Sequence, residues 1–307
     1  MHMLSFLMVF IMIFLMGMSI MRYGLFHLAH DTLQQKLVHI TDTPLKGMLA
    51  GTLITAVLQS SSAVTVMTVA LCAAGYLTFE KALGIILGTN IGTTVTLEMI
   101  SIDLGQLALP LLIFSALLMM ISRKKLFDVG SILFGFSCLF IAMNGFSSLA
   151  SFFSESPLFT NLLTADTKGH VNGILFGTVL TAILQSSTAV TGMGMGIIEK
   201  SSIPLSTGIA VMLGANIGTC ITAFLASLRA NNHAKLTAYA HIWLNIIGVL
   251  AFYPLIQLLT NTAMILADSP DVQLAHASVI FNVLVSLIFL PLIKPFASFI
   301  KRVHRQE

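Results

Sequence analysis

Charged residues are scarce in this chain, and their scarcity excludes most soluble classes of protein. Asp, Glu, Lys and Arg make up 9% of the 307 residues, whereas 56% are hydrophobic and the mean hydropathy is +0.95. A soluble domain carries about 25% charged residues. The formal net charge is only +3, and no basic run resembles a nucleic-acid-binding arm, so we expect no nucleic-acid partner.

Cysteine is also rare, and its spacing excludes several kinds of site. Cys72, Cys138 and Cys220 stand singly inside apolar segments, without the paired spacing of a zinc or redox motif. They are expected to pack as small core residues. Residues 3–20 are apolar but lack the basic start and the Ala-x-Ala-like cleavage site of a signal peptide, so we expect a retained first helix.

What the chain does contain is a series of long apolar runs. Runs such as 104–122, 132–153 and 236–262 approach or exceed the roughly 20 residues that a membrane-spanning helix needs. We therefore predict an all-α polytopic membrane protein, with residues 1–307 forming a single transmembrane domain in the cell membrane. The predicted full spans, about seven in number, are 3–26, 79–100, 104–122, 127–152, 203–228, 236–262 and 272–293.

A duplicated segment carries the clearest functional information. Residues 47–96 align without a gap with residues 173–222, a shift of 126 positions, and 21 of the 50 pairs are identical. Polar side chains that recur in apolar surroundings are typical of two half-sites of one pocket in a duplicated transporter. We assign the first repeat to 47–122 and the second to 173–262. The identities gather in two motifs, Gln59-Ser60-Ser61-Ser62 with Gln185-Ser186-Ser187-Thr188, and Gly88-x-Asn90-Ile91-Gly92-Thr93 with Gly214-x-Asn216-Ile217-Gly218-Thr219.

The stretches 47–75 and 173–198, which are rich in Gly, Ser and Thr, either span the membrane or enter and return as re-entrant hairpins. Cytoplasmic loops carry an excess of Lys and Arg. If both stretches span, the 15 basic residues divide 10 to 5 between the two sides; if both are re-entrant, they divide 13 to 2. The re-entrant topology is therefore favoured. It places the N-terminus outside and the C-terminus in the cytoplasm, and it orients the hairpins oppositely, as in an inverted repeat.

The Gln-Ser-Ser motifs have a clear chemical use if each hairpin is broken at its tip. The second half of a broken hairpin offers free N–H groups and a positive dipole end, which bind an anion. Gln and Ser side chains add hydrogen-bond donors, while their oxygens and the freed carbonyl groups suit a small cation. The structural alternative is that Ser and Thr bond back to helix carbonyls and let the helices pack closely.

The Asn-Ile-Gly motifs repeat this pattern on the following helix. Gly on either side of Asn allows an unwound segment or a close backbone approach, and Asn90, Asn216, Thr93 and Thr219 offer neutral oxygen ligands. Close helix packing is again the alternative. No charged residue lies in the centre of either hairpin or in either Asn-Ile-Gly motif, so we expect an anion held there to depend on co-bound cations.

Two titratable residues in the predicted spans have open roles. Glu98 is either an interfacial residue near the outer end of its helix or an ion ligand. His241 either hydrogen-bonds between helices or titrates as part of the function. The sequence alone favours the structural role for each of them.

At these motifs the chain resembles the sodium-dependent phosphate cotransporter family, that is, Na/Pi cotransporter type II and its bacterial relatives. The resemblance covers both repeats and implies an inverted-repeat transporter whose two hairpins hold phosphate and sodium between them. It implies that phosphate is bound by Gln59, Ser60, Ser61, Gln185, Ser186 and Ser187. It implies that sodium is bound by Ser62, Thr65, Asn90, Thr93, Thr188, Thr191, Asn216 and Thr219.

The chain departs from the family pattern in three places. Thr188 stands where the first copy has Ser, and it keeps the hydroxyl group. Ser278 stands where a second His would be expected from the pattern around His241, which weakens a paired-His role. The sequence stops soon after its last span, so we expect no C-terminal domain similar to the phosphate-uptake regulators that many bacterial relatives carry.

We therefore predict a sodium-coupled inorganic phosphate symporter that works by alternating access around a midplane site. A close alternative is another small oxyanion, such as sulfate or arsenate, and either direction of net transport is open. A non-transporting membrane scaffold would not need doubled polar groups at this depth. A serine hydrolase would need a base near Ser60 or Ser186, and neither His nor Lys lies near them in sequence, so we predict no enzyme activity. The expected partners are phosphate, sodium and the lipid bilayer, without an organic cofactor.

Overall fold

The computed structural model describes residues 2–40, 43–102, 105–155, 166–200 and 203–304. Within these ranges every regular element is helical, and six helices are long and apolar enough to cross a membrane. The predicted all-α polytopic membrane fold is therefore confirmed. In chain order the helices are α1 (His2–Ile40), α2 (Pro44–Leu58), α3 (Ser61–Ala73), α4 (Phe79–Ile100), α5 (Ala108–Met119), α6 (Lys124–Ser148), α7 (Ala150–Glu155), α8 (Asp166–Leu184), α9 (Ser187–Lys200), α10 (Leu205–Gly218), α11 (Cys220–Ser227), α12 (Asn232–Phe252), α13 (Ile256–Leu266), α14 (Pro270–Phe289) and α15 (Ile293–Val303).

Both Gln-Ser-Ser motifs interrupt a helix at the same point. Gln59 ends α2 with φ 54° and ψ 30°, in the left-handed region, and Gln185 at the end of α8 also has φ 54°. The next residue caps the following helix: the Ser60 hydroxyl accepts the N–H of Ala63, and the Ser186 hydroxyl accepts that of Ala189, each at 3.2 Å. A residue with a side chain in the left-handed region costs about 1 kcal/mol of conformational energy. A Ser cap stabilises the next helix by a similar amount. The capping energy therefore nearly offsets the local cost of the break.

Glycines fix how each hairpin packs against the helix that follows it. A Cβ built on Gly88 would lie 2.0 Å from the Met48 carbonyl oxygen, so α2 and α4 touch through their backbones. Farther along, Gly92 lies against Thr52, and nearer the start Gly84 lies against Pro44. The residue numbers of the contacting pairs increase together along both helices, so α2 and α4 run parallel. Because α4 begins beside the beginning of α2, the intervening α3 returns the chain to its starting level, and α2 and α3 form a helical hairpin.

The second copy packs in the same register. A Cβ built on Gly214 would lie 2.0 Å from the Ile174 carbonyl oxygen, and one built on Gly218 would lie 2.4 Å from that of Thr178. All four positions are 126 residues beyond their counterparts in the first copy. Helices in a membrane associate largely through close contacts of small residues. The duplicated glycines therefore hold α8 parallel to α10 as they hold α2 parallel to α4.

The two hairpins run in opposite directions through the bundle. Thr93 and Thr96 of α4 share a pocket with Ser187 and Thr188 of α9, and farther along both helices Ile100 packs against Gly192, so α4 and α9 run parallel. At the start of α10, Gly208 lies against Ile198 near the end of α9. Helices α10 and α8 are therefore antiparallel to α9 and to α2. The two hairpin tips meet at this shared pocket.

The structure corrects one predicted span. The stretch 104–122, predicted as a full span, contains only α5, whose 12 residues are about 18 Å long and fall short of the roughly 30 Å hydrocarbon core. A 3₁₀ turn at Gly105–Leu107 takes up part of the apolar run. The predicted span 236–262 lies within the long apolar helical segment Asn232–Leu266, in which a second 3₁₀ turn, Tyr253–Leu255, contains Pro254. The described chain thus has six long apolar helices instead of about seven spans.

The amphipathic helix α15 was not predicted from the sequence. Its buried face, formed by residues such as Phe296 and Ile300, packs on the bundle. Lys301 pairs with Glu80 at the start of α4 (Nζ to Oε1, 3.1 Å). Just after the helix, the His304 ring stacks on Tyr239 at 3.9 Å, and its Nε2 accepts the indole N–H of Trp243 at 3.2 Å. The C-terminal segment is therefore tied to both α4 and α12.

The contact of His304 with Trp243 predicts a pH-dependent change at the C-terminal end. Only a neutral imidazole has a free Nε2 lone pair, and partial burial lowers the pKa of His304 from its ordinary value of 6.5. The unfolded segment therefore takes up a proton first as the pH falls. The stabilisation is present above about pH 6.5 and is lost as the pH falls through the lowered pKa.

Trp243 is the single tryptophan of the chain, so its fluorescence reports this contact directly. We expect the emission to change reversibly as the pH is lowered below about 6.5, and the same titration in His304→Gln to be nearly flat. An equal titration in both proteins would show that another group is responsible.

Candidate functional site

A polar pocket lies where the two hairpin tips meet. Its cavity volume is about 10 Å³, roughly the space that one water molecule occupies. Both repeats contribute through their Gln-Ser-Ser motifs, α4 contributes two threonines, and α1 contributes one residue from outside the repeats. The lining residues are Arg22, Gln59, Ser61, Ser62, Thr93, Thr96, Gln185, Ser186, Ser187 and Thr188.

The helix starts at the two breaks supply the pocket with hydrogen-bond donors. Ser61 and Ser62 lie in the first turn of α3, and Ser187 and Thr188 lie in the first turn of α9. The first backbone N–H groups of a helix have no intrahelical partner, and the helix dipole is positive there. Two such ends, with hydroxyl groups beside them, form a concave set of donors suited to an oxyanion.

The two glutamines are not equivalent, although the sequence gives them the same setting. The Gln59 side chain is 5% exposed; its Nε2 donates to the Ala56 carbonyl and its Oε1 accepts the Thr96 hydroxyl. Gln59 thus holds the first tip in shape. The Gln185 side chain is exposed to the pocket instead. Of the two, Gln185 has the side chain that is free to contact a ligand.

The structure overturns one expectation about charge. From the sequence, an anion at the tips would meet no cationic side chain, because no charged residue lies within either motif. In the structure, Arg22 of α1 lines the pocket and its Nε donates to the Gln59 carbonyl oxygen at 2.7 Å. The topology count had placed Arg22 among the loop charges. Arg22 lies within the predicted span 3–26, near its end, and a charged residue inside an apolar helix is itself a signal for a functional site.

The expected phosphate ligands are brought together with one exception. Gln59, Ser61, Gln185, Ser186 and Ser187 line the pocket. Ser60 is not part of the lining, and its hydroxyl is used in capping α3. Its counterpart Ser186 caps α9 in the same way but also faces the pocket.

The expected sodium ligands are more dispersed. Ser62, Thr93 and Thr188 line the pocket, whereas the other five lie outside its lining. The Asn90 side chain donates to Asn245 at 3.3 Å, and that of Asn216 bonds back to the Met212 carbonyl at 2.9 Å. The Thr93 and Thr219 hydroxyls bond back to helix carbonyls, at 2.8 and 3.0 Å. These contacts fit the alternative in which the polar side chains serve helix packing and do not bind an ion. The remaining two expected ligands, Thr65 and Thr191, are buried behind the tips.

Three buried threonines near the breaks have spare oxygens. Thr55 and its repeat counterpart Thr181 are fully buried, and Thr65 is 1% exposed. Within the described chain their Oγ1 atoms have no hydrogen-bond partner. In the alignment of the two repeats, Thr55 pairs with Thr181 and Thr65 pairs with Thr191. The alignment does not distinguish an unpaired hydroxyl from one bonded to a helix carbonyl.

The two residues with open roles are placed away from the pocket lining. Glu98 pairs with His276 of α14 (Oε1 to Nδ1, 2.8 Å), with about a third of each side chain exposed. His241 is 2% exposed, and its Nδ1 has no partner in the described part of the chain. Glu98 is thus paired with His276. This histidine lies two residues before Ser278, the position where the family pattern predicted a second His.

The architecture defines a class of protein: a multi-pass helical membrane protein with a polar pocket built from two duplicated helix pairs, as in secondary transporters. The family is also clear. The chain belongs to the Na+/Pi-cotransporter family, whose model matches residues 13–148 and 151–267. The resemblance seen at the two motifs is therefore confirmed.

Several known proteins are similar over different lengths. The chain is 39% identical over 288 residues to the Bacillus subtilis protein named "Uncharacterized protein YqeW", covering 92% of each chain. It is 25% identical over 293 residues to the Escherichia coli "Putative inorganic phosphate export protein YjbB", covering 95% of this chain but 54% of that protein. An 86-residue segment is 36% identical to human "Sodium-dependent phosphate transport protein 2B", covering 27% of this chain and 12% of that protein. No solved structure matches this chain.

Proposed function

We propose that the protein is a sodium-coupled transporter of inorganic phosphate, with its substrate site in the pocket between the hairpin tips. The observation that carries the proposal is the pocket itself. It joins two helix N-termini and four first-turn hydroxyl side chains, half from each repeat, with a guanidinium group from α1. This donor set suits an oxyanion, and membership of the Na+/Pi-cotransporter family favours phosphate over sulfate or arsenate.

We further propose that the repeats 47–122 and 173–262 form an inverted-topology pair within one transmembrane domain. The matched glycine contacts and the opposite directions of α2 and α8 support this arrangement. The hairpins would enter from opposite sides of the membrane, the first from the cytoplasm and the second from outside. With Arg22 counted inside the pocket, the loop charges still divide 12 to 2, which supports a cytoplasmic C-terminus.

Surface labelling tests this topology. Tyr76, in the turn after α3, and Lys200, at the end of α9, are both exposed. In a background without Cys72, Cys138 and Cys220, we expect Lys200→Cys in intact cells to react with an impermeant maleimide. Tyr76→Cys should react only after the membrane is opened. Reaction of both variants from the same side would contradict the inverted arrangement.

Sodium coupling is proposed from the family and from the oxygens around the breaks. Ser62, Thr93 and Thr188 place neutral hydroxyl oxygens at the pocket, and small hard cations prefer oxygen ligands. The unpaired hydroxyls of Thr55, Thr65 and Thr181 add further oxygens behind the tips. Sodium moving down its gradient would then drive alternating access to the shared site.

Net export of phosphate is the second candidate direction. The relative named as a putative phosphate export protein matches 95% of this chain, and a coupled transporter runs in whichever direction its gradients favour. Enzyme activity is not part of the proposal: among the described residues that line the pocket there is no His, Lys, Asp or Glu to activate a serine.

Phosphate flux in proteoliposomes tests the function. The purified chain should take up phosphate when an inward sodium gradient is imposed, and much less with potassium in its place. The reverse gradient should release phosphate from loaded vesicles. Equal flux in sodium and potassium would contradict sodium coupling, and no phosphate flux in either direction would contradict the transport proposal.

A further inference from the structure

Arg22 differs from the rest of the pocket because it comes from α1 and has no counterpart in the other half; the position 126 residues later is Ser148. Its Nε donates to the Gln59 carbonyl oxygen, a group freed by the break in the helix. A guanidinium has five N–H donors in a planar fork. This contact uses one of them, which leaves the four N–H donors of the two Nη atoms.

The charge of Arg22 has no protein counter-ion in the described part of the chain. None of the ion pairs found there includes Arg22, and the pocket lining contains no carboxylate. An unpaired cation inside a membrane helix is costly. The N-termini of α3 and α9 add positive potential at the same place. The C-terminal ends of α2 and α8 lie at the same breaks and offset this dipole potential. The net positive charge of the pocket therefore comes from Arg22, and a bound anion would neutralise it.

We propose that Arg22 is a direct ligand of the transported oxyanion, an inference that rests on the phosphate-transport function proposed above. Its Nε keeps the bond to the Gln59 carbonyl and so orients the fork. The Nη groups bind two oxygens of the anion, the bidentate geometry that guanidinium forms with phosphate and carboxylate groups. The first-turn N–H groups and hydroxyls of α3 and α9 hold the remaining oxygens.

This assignment changes the order in which ligands bind. Without Arg22, a phosphate dianion at the tips would depend on sodium for charge compensation. With Arg22, half of that charge is compensated by the protein. The pocket should therefore bind phosphate in the absence of sodium, and added sodium should tighten a binding that already exists.

Phosphate binding to the purified full chain in detergent tests the role of Arg22. Isothermal titration with inorganic phosphate, with choline in place of sodium, should detect binding to the wild type. Arg22→Gln should weaken it about tenfold to a hundredfold, the size expected for a charged hydrogen bond. Arg22→Lys keeps the charge but not the fork, and should lose about tenfold. Arg123→Gln, at the exposed start of α6, is the matched control and should bind as the wild type does.

The outcomes separate the two proposals. If Arg22→Gln binds phosphate with wild-type affinity, Arg22 only supports the Gln59 carbonyl; the inference is overturned and the transport function stands. If the wild type binds phosphate only when sodium is present, the proposed binding order is overturned. If it binds none under either condition, both proposals fail. Should Arg22→Gln not fold, unchanged affinity in Arg22→Lys overturns the inference equally.

Discussion

Replacing Gly88 or Gly214 by alanine is expected to destabilise the protein by about 3 kcal/mol or more, at the upper end of overpacking effects. Each added methyl would lie 2.0 Å from a carbonyl oxygen of the neighbouring helix, that of Met48 or of Ile174. The obstacle is backbone, which has no alternative rotamer. The helices must therefore separate, and the loss extends along the whole α2–α4 or α8–α10 contact.

Thermal unfolding of the purified variants in detergent measures this effect. Gly194→Ala is the matched control, because a Cβ there meets only the Leu274 side chain at an ordinary 3.6 Å. It should be neutral or slightly stabilising, since alanine favours a helix over glycine by about 1 kcal/mol. Similar unfolding temperatures for Gly88→Ala, Gly214→Ala and Gly194→Ala would show that the helices are not held by these backbone contacts.

Removing the two glutamine side chains is expected to give opposite results. Gln185→Gly should leave stability unchanged or raise it, because glycine adopts the positive φ without strain, while phosphate affinity falls about tenfold through loss of a pocket donor. Gln59→Gly should lower stability by about 1 to 3 kcal/mol, because the buried Thr96 hydroxyl loses its acceptor.

Glycine is used at both positions so that backbone strain does not obscure the effect of the side chain. Thermal unfolding and phosphate titration on the same samples provide the two measurements. The prediction fails if both variants lose affinity equally without any change in stability, which would make the two tips functionally equivalent. It also fails if Gln185→Gly is the less stable variant.

The positions of the helix breaks were predictable, and the reason is chemical. A Gln-Ser-Ser sequence inside an apolar run offers a Ser that can cap a new helix, so the break falls directly before that Ser, at Gln59 and Gln185. The close approach at Gly88 and Gly214 was also anticipated, since a glycine beside a helix neighbour removes the steric limit.

The contents of the pocket were less predictable, because they depend on packing between distant segments. Arg22 reaches Gln59 across 37 positions of sequence, and a count of loop charges cannot place it. The different roles of Gln59 and Gln185 arise from their neighbours: Thr96 covers one of them, while the other faces open space. Identical motifs therefore did not predict identical functions.

The matched glycines also limit how the protein can move. With backbones in contact along their length, α2 cannot slide past α4, nor α8 past α10, without raising each glycine over a carbonyl group. We therefore expect each pair to move as one unit. The helical hydrogen bonding is interrupted at the single residues Gln59 and Gln185, where one helix stops and the next begins. The pocket residues thus lie at the ends of both packed pairs, so a ligand bound between them would link the two units.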